Sequence, residues 1–190
     1  MHYLGTFEQD PSQHLIDLWI QSCAHETYTD FSGTIQYLRK HLLKTRPKMI
    51  QTMKTGTGPQ KFVMAIAFAE LADAEAMPLV VDILTAHLED NDIRNDRGHA
   101  MRYLSELGPR ALPLLKQHME TLDLQGRFSL GRIRNSIQRY DDSTWEHWYR
   151  LPAEKKATHQ WGPWGFLRAI KDAPPYVLDQ LKLETNDASR

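Results

Sequence analysis

Several short stretches of the 190-residue chain carry residue types that do chemistry in other settings. KTGTGPQK at 54–61 is glycine-rich and ends in lysine, as a phosphate-cradling loop would. Such a loop follows a strand and closes on Gly-Lys-Ser/Thr. Here Gln60 precedes Lys61 and Phe62 follows it, so the stretch reads as a turn between helices. HETYT at 25–29 opens like the zinc-binding helix H-E-x-x-H, but Thr29 stands where the second imidazole belongs. The loop LEDNDIRNDRG at 88–98 holds four acids with Arg94 and Arg97. Counted from Asp90, an EF-hand would need Gly at the sixth position and Glu at the twelfth; Asn95 and Met101 occupy them. We therefore expect no metal and no cofactor, and take Glu89, Asp90, Asp92, Arg94 and Asp96 as partner contacts on a long polar loop.

Cys23, the single cysteine, has His25 only two residues on, a spacing that places them on different parts of a helix face and argues against a nucleophile–base pair. The nine histidines are dispersed, with none paired at helical spacing; His87 and His118 fall near helix ends, where a cation suits the dipole. Two segments are basic. RKHLLKTRPK spans 39–48, and GRFSLGRIRNSIQR at 126–139 sets Arg127 and Arg134 on one face with Arg132 and Arg139 on an adjoining one. Phosphates favour such rows, yet each row adjoins an acidic block. Four of the five tryptophans fall at 145–164. Such rings fill an irregular last repeat or anchor a partner, and Trp145 and Trp148 count as candidate partner contacts.

Bulk composition narrows the class. The chain is 41% apolar and 25% charged with a net charge of −1, which fits a globular protein and gives no global basic excess for nucleic acid. One cysteine allows no internal disulfide, the start lacks a basic and apolar leader, and no apolar run reaches membrane-spanning length; a cytoplasmic location is expected. Charge alternates along the chain: −5 over 1–30, +7 over 31–69, −7 over 70–96, +5 over 97–140 and −1 over 141–190. Alternation of this kind suits layers that neutralise their neighbours.

The elements that position these residues are helical. Val63, Ile66, Ala67 and Leu71 recur at steps of three and four; so do Leu79, Val80, Ile83, Leu84 and Leu88, and Met101, Leu104 and Leu107. Three segments share Ala-x-Pro before an apolar stripe: AMPLVVDIL from Ala76, ALPLLKQHM from Ala111 and APPYVLDQL from Ala173. Proline is tolerated in a first helical turn, and Gly108 suits the end of the preceding helix. The corner recurs because a helical hairpin recurs. A cap at 11–26 and five hairpins are expected: 31–44 with 47–55, 61–72 with 75–88, 97–107 with 110–121, 126–139 with 143–150, and 161–171 with 174–184. The fold class is all-α, a right-handed solenoid of about five such hairpins. It forms one domain over 1–190, with a cap at 1–30, regular repeats at 31–121 and irregular aromatic-rich repeats at 122–190.

The motif Leu107-Gly108-x-x-Ala111-x-Pro113-x-Leu115 resembles HEAT-like repeats of the phycobilisome-lyase type, and Leu71, Ala76 and Pro78 repeat it with Ala72 in place of glycine. The resemblance is good over 61–121 and weak elsewhere. It implies a helical scaffold without a catalytic residue, since the motif builds a corner only. It also implies a bacterial protein that binds another protein, best an immunity protein neutralising a cognate toxin. The alternatives are a HEAT-like lyase or chaperone and a nucleic-acid-binding glycosylase relative; neither membrane nor nucleic acid is the expected partner. Repeat register supplies a polar ribbon along the second helices. Asp82 and Thr85 map back onto Gln51 and Lys54 and forward onto Gln117 and Glu120, then Asp179 and Lys182.

Overall fold

The computed structural model describes residues 17, 18, 20, 21, 41–89, 96–152, 155, 156 and 162–171. Every element among them is helical: α1 Leu42–Thr55, α2 Gly58–Leu71, α3 Met77–Thr85, α4 Asp96–Glu106, a 3-10 turn Pro109–Ala111, α5 Leu112–His118, α6 Leu124–Ile137, α7 Asp142–Arg150 and α8 Gly162–Lys171. Among the described residues no helix is long and apolar enough to cross a membrane.

The centre is α2. Its eight residues from Phe62 to Ala69 are all buried, so it has no wet face and is covered on every side. α1, α3, α4 and α8 all pack against it. Its start follows from KTGTGPQK: Pro59 sits in the first turn, where a missing N–H is harmless, and the Gln60 side chain accepts the Thr57 N–H at 2.9 Å. From α2 outward, α4 lies beside α2 and α6 beside α4, with α5 beside α3. One apolar core runs from Ile20 through these helices to Ile137.

Two corners follow the expected motif. Gly108 ends α4 with a positive φ of 70°, and Pro109 opens the 3-10 turn that leads into α5. At the other corner Ala72 takes the left-handed conformation (φ 49°) that glycine would adopt freely. The cost is offset by Asp73, whose Oδ1 accepts the N–H groups of Glu75 and Ala76, and whose carboxylate takes the Arg46 fork at 2.9 and 3.1 Å.

One expected corner is absent. The hairpin turn placed between 44 and 47 lies inside a continuous α1, with Pro47 in its second turn. Thr45, Met49, Thr52 and Met53 are all buried at steps of four, three and one; a single packed stripe outweighs the hydrogen bond that Pro47 cannot give. The first helix of that hairpin over 31–40, most of the 11–26 cap and the 174–184 helix lie outside the described residues.

The C-terminal helices form a second core of Ala72, Trp145, Trp148, Leu151, Phe166, Leu167 and Ile170. α8 packs on α7 and reaches α2 and α4. This aromatic unit sits on the hairpin corners. The Tyr149 hydroxyl donates to Leu107 O at 2.7 Å, and a Cβ at Gly108 would lie 2.6 Å from the Trp145 ring and collide with the Tyr149 hydroxyl. Gly108 is thus required twice, for its φ and for the ring that covers it.

Candidate functional site

Of the polar ribbon, Gln51 and Lys54 on α1, Asp82 on α3, and Gln117 and Glu120 at the end of α5 are exposed. Asp82 is braced, with its Oδ1 3.0 Å from His118 Nε2 on α5. Thr85 departs from the expected ribbon. It is buried, and its hydroxyl donates to Val81 O at 2.7 Å. The buried face of α3 is broader than the expected stripe: Met77, Val80, Val81, Leu84 and Thr85 are all buried, with Leu88 just beyond the helix, while Leu79 and Ile83 are only partly covered. α3 packs against α2, α4 and α5, and these three neighbours cover Val81 and Thr85 as well. Glu89 is exposed, but its Oε1 accepts the Asp123 N–H at 2.7 Å and so fastens the entry to α6. Asp96 is the first residue of α4 rather than part of a loop. Asp90, Asp92, Arg94, Asp179 and Lys182 lie outside the described residues.

Trp145 and Trp148 are corrected as partner anchors, because both are fully buried. Trp145 Nε1 donates to Ile137 O at 3.1 Å, and its ring meets Trp164 edge-on at 5.5 Å. Trp148 packs on Phe166 at 5.5 Å. Three residues apart on α7, the two rings face α8 together, and burying them there removes more apolar surface from water than any exposed contact would.

The surface that sequence reasoning missed is on α6. Leu124 is 86% exposed and Phe128 69%. The buried face of this helix carries Gly126, Ser129, Leu130, Ile133 and Ile137. At about 3.6 residues per turn, nine residues are two and a half turns, so Leu124 points directly away from Ile133 and Phe128 away from Ile137. A Cβ built at Gly131, on the same outer stripe, meets nothing within 4 Å. Arginines flank the stripe on both sides, Arg127 and Arg134 on one and Arg132 and Arg139 on the other. Arg127 is tied back to Leu122 O and Glu120 O. Arg132, Arg134 and Arg139 are exposed and hold no ion pair among the described residues. The signal was legible: Leu124 and Phe128 lie off the periodic stripe of their own helix.

An open cleft of about 440 Å3 lies where the aromatic unit meets the α2–α3 corner, lined by Arg46, Asp73, Glu75, Arg110, Tyr149 and Lys156 among others. Arg46 reaches both Asp73 and Glu75, the latter at 2.7 Å. Burial raises the Asp73 carboxyl, but the Arg46 fork and two main-chain donors outweigh it and hold it below the usual range. The Arg110 guanidinium lies 3.9 Å from the centre of the Tyr149 ring and gives one nitrogen to both oxygens of Glu146. Burial pushes the Tyr149 hydroxyl up to about 12, so it stays a neutral donor. No local spacing in the sequence records this cleft, because it joins residues more than a hundred positions apart. No protein-family model, curated protein or solved structure matches the chain, and its function is read from these surfaces.

Proposed function

We propose that this is a non-catalytic helical-repeat protein of the HEAT-like kind, which works by binding another protein along the outer face of α6. The observation that carries this reading is the exposed pair Leu124 and Phe128 between arginines that hold no ion pair among the described residues. A phenylalanine 69% exposed on the face opposite the core buries little of its ring in the fold. Apolar anchors ringed by charge are the anatomy of a protein interface, with desolvated side chains at the centre and polar groups at the rim. The arginines name the complement: an acidic surface bearing apolar side chains that fit between Phe128 and the open space at Gly131. The ribbon of Gln51, Asp82 and Gln117 is a second, polar face.

The narrower form of the proposal, drawn from the resemblance, is a bacterial immunity protein whose partner is a toxin domain. Paired arginine rows with an exposed ring between them also suit single-stranded nucleic acid, where Phe128 would stack on a base. One experiment separates the three. Tagged wild-type protein and a Leu124→Lys, Phe128→Glu variant are used to draw partners from a lysate of the source cells at low and high salt. The proposal expects one stoichiometric acidic protein, lost with the variant and weakened by salt. If that protein arrests growth when expressed alone and is relieved by the wild-type chain, the immunity form stands. Nuclease-sensitive material in its place transfers the face to nucleic acid, and an identical set of partners from both chains removes α6 from the interface.

A further inference from the structure

The cleft beside the α2–α3 corner holds a cation that makes no ion pair among the described residues. Lys156 is 7% exposed. Its ammonium donates to a single acceptor, the main-chain oxygen of Tyr149 at 3.1 Å, and the Trp148 ring centre lies 5.8 Å away. Two of its three N–H groups therefore have no acceptor among the described residues. Arg110 spends one terminal nitrogen on Glu146 and leaves the rest of its fork uncommitted, although stacking on Tyr149 fixes its plane. A buried ammonium with one hydrogen bond is unfavourable unless an anion joins it.

We infer that this cleft is a binding site for a single carboxylate group, seated between Lys156 Nζ and the open donors of Arg110. A planar carboxylate matches the guanidinium fork, and the cleft's 440 Å3 admits the residue or small acid that carries it. The rim argues against a more highly charged anion, since Asp73, Glu75 and Glu146 already stand around the two cations and Arg46 is committed to the first two. The groups facing Lys156 are Arg110 and Asp73, of opposite effect; burial first and then Arg110 push its amine down to about 8, with Asp73 pulling upward. An entering carboxylate reverses that balance. The site shares no residue with the α6 face, and its test is independent of the partner named above.

The carboxylate could come from a free organic acid or from an acidic side chain of a partner protein, and the probes distinguish these. Lys156 is acylated with a slow amine reagent across neutral to alkaline pH and its modification followed by peptide mass spectrometry. The full chain is compared in sodium chloride, in sodium acetate, and with the blocked peptide acetyl-Ala-Glu-Ala-amide, all at one ionic strength. Acetate or the peptide is expected to raise the Lys156 titration by about one pH unit over chloride and slow its acylation at neutral pH about tenfold. The more potent probe identifies the source. Arg110→Gln, with folding checked by its melting curve, is expected to raise the half-saturating probe concentration at least about fivefold, the loss of one charge-assisted pair. No displacement beyond chloride with either probe overturns the site, and unchanged saturation in Arg110→Gln overturns the seat given to the carboxylate.

Discussion

Replacing Lys156 by methionine should make the protein more stable at neutral pH, and the gain should disappear in mild alkali. In the folded chain the amine titrates at about 8, against an ordinary value of 10.5. A lysine whose folded value is depressed opposes folding wherever it must carry its charge. The penalty grows as pH falls from 10.5 towards 8 and is constant below that. Across two and a half pH units the penalty is about 3 kcal/mol at neutral pH. Methionine keeps the apolar length of the side chain and gives up the bond to Tyr149 O, about 1 kcal/mol. The net expectation is a gain of about 2 kcal/mol at pH 7. At about pH 9.5 the wild type has recovered some 2 kcal/mol of its penalty, and the two proteins should agree to within about 0.5 kcal/mol. Urea unfolding of both chains at these two pH values, in buffers free of carboxylates, gives the difference directly. A variant less stable than wild type at neutral pH would show that the ammonium is well solvated or paired in the fold, and the reasoning about its burial would fail.

Other substitutions test the scaffold. Gly108→Ala imposes a positive φ on alanine, about 1–2 kcal/mol, and drives its Cβ into Trp145, so urea unfolding should show a loss above about 3 kcal/mol. Asp73→Ala removes the Arg46 ion pair and the acceptor of two main-chain N–H groups, and should cost about 2–3 kcal/mol at neutral pH. Because the Asp73 carboxyl is held low, that difference should persist above about pH 4 and shrink as acid protonates the wild type, read from unfolding curves at descending pH. Phe128→Ser should leave stability within about 0.5 kcal/mol, whereas Phe166→Ala, in the buried aromatic core, should cost about 3–5 kcal/mol by the same assay.

Local features of the fold were legible because local physics decides them. The corner at Leu107–Leu115 needs a residue at positive φ and a proline in the next turn, and both are written there. The helix at 77–85 announces itself by period. What the sequence concealed was decided at a distance. Pro47 reads as a corner until Thr45, Met49 and Met53 are seen to share one buried face. Thr85 looks outward until α4 and α5 are placed beside α3. Trp145 and Trp148 are equally suited to an interface and to a core, and only the arrival of α8 puts them in the second. The cleft at Lys156 brings together residues from 46 to 156, a pairing that no spacing encodes. The α6 face is a different case. Leu124 and Phe128 are legible as residues out of phase with their own helix, between the two basic rows.

The account turns on which face meets the partner. A photoreactive phenylalanine analogue placed at position 128 answers this most directly, with the same analogue at 51, 82 and 117 on the polar ribbon for comparison. Irradiated in source-cell lysate, position 128 should give one dominant crosslinked protein, suppressed by Arg132→Glu with Arg134→Glu, while the ribbon positions give none. A dominant product at 51, 82 or 117 with nothing at 128 would contradict the account and make the ribbon the binding face.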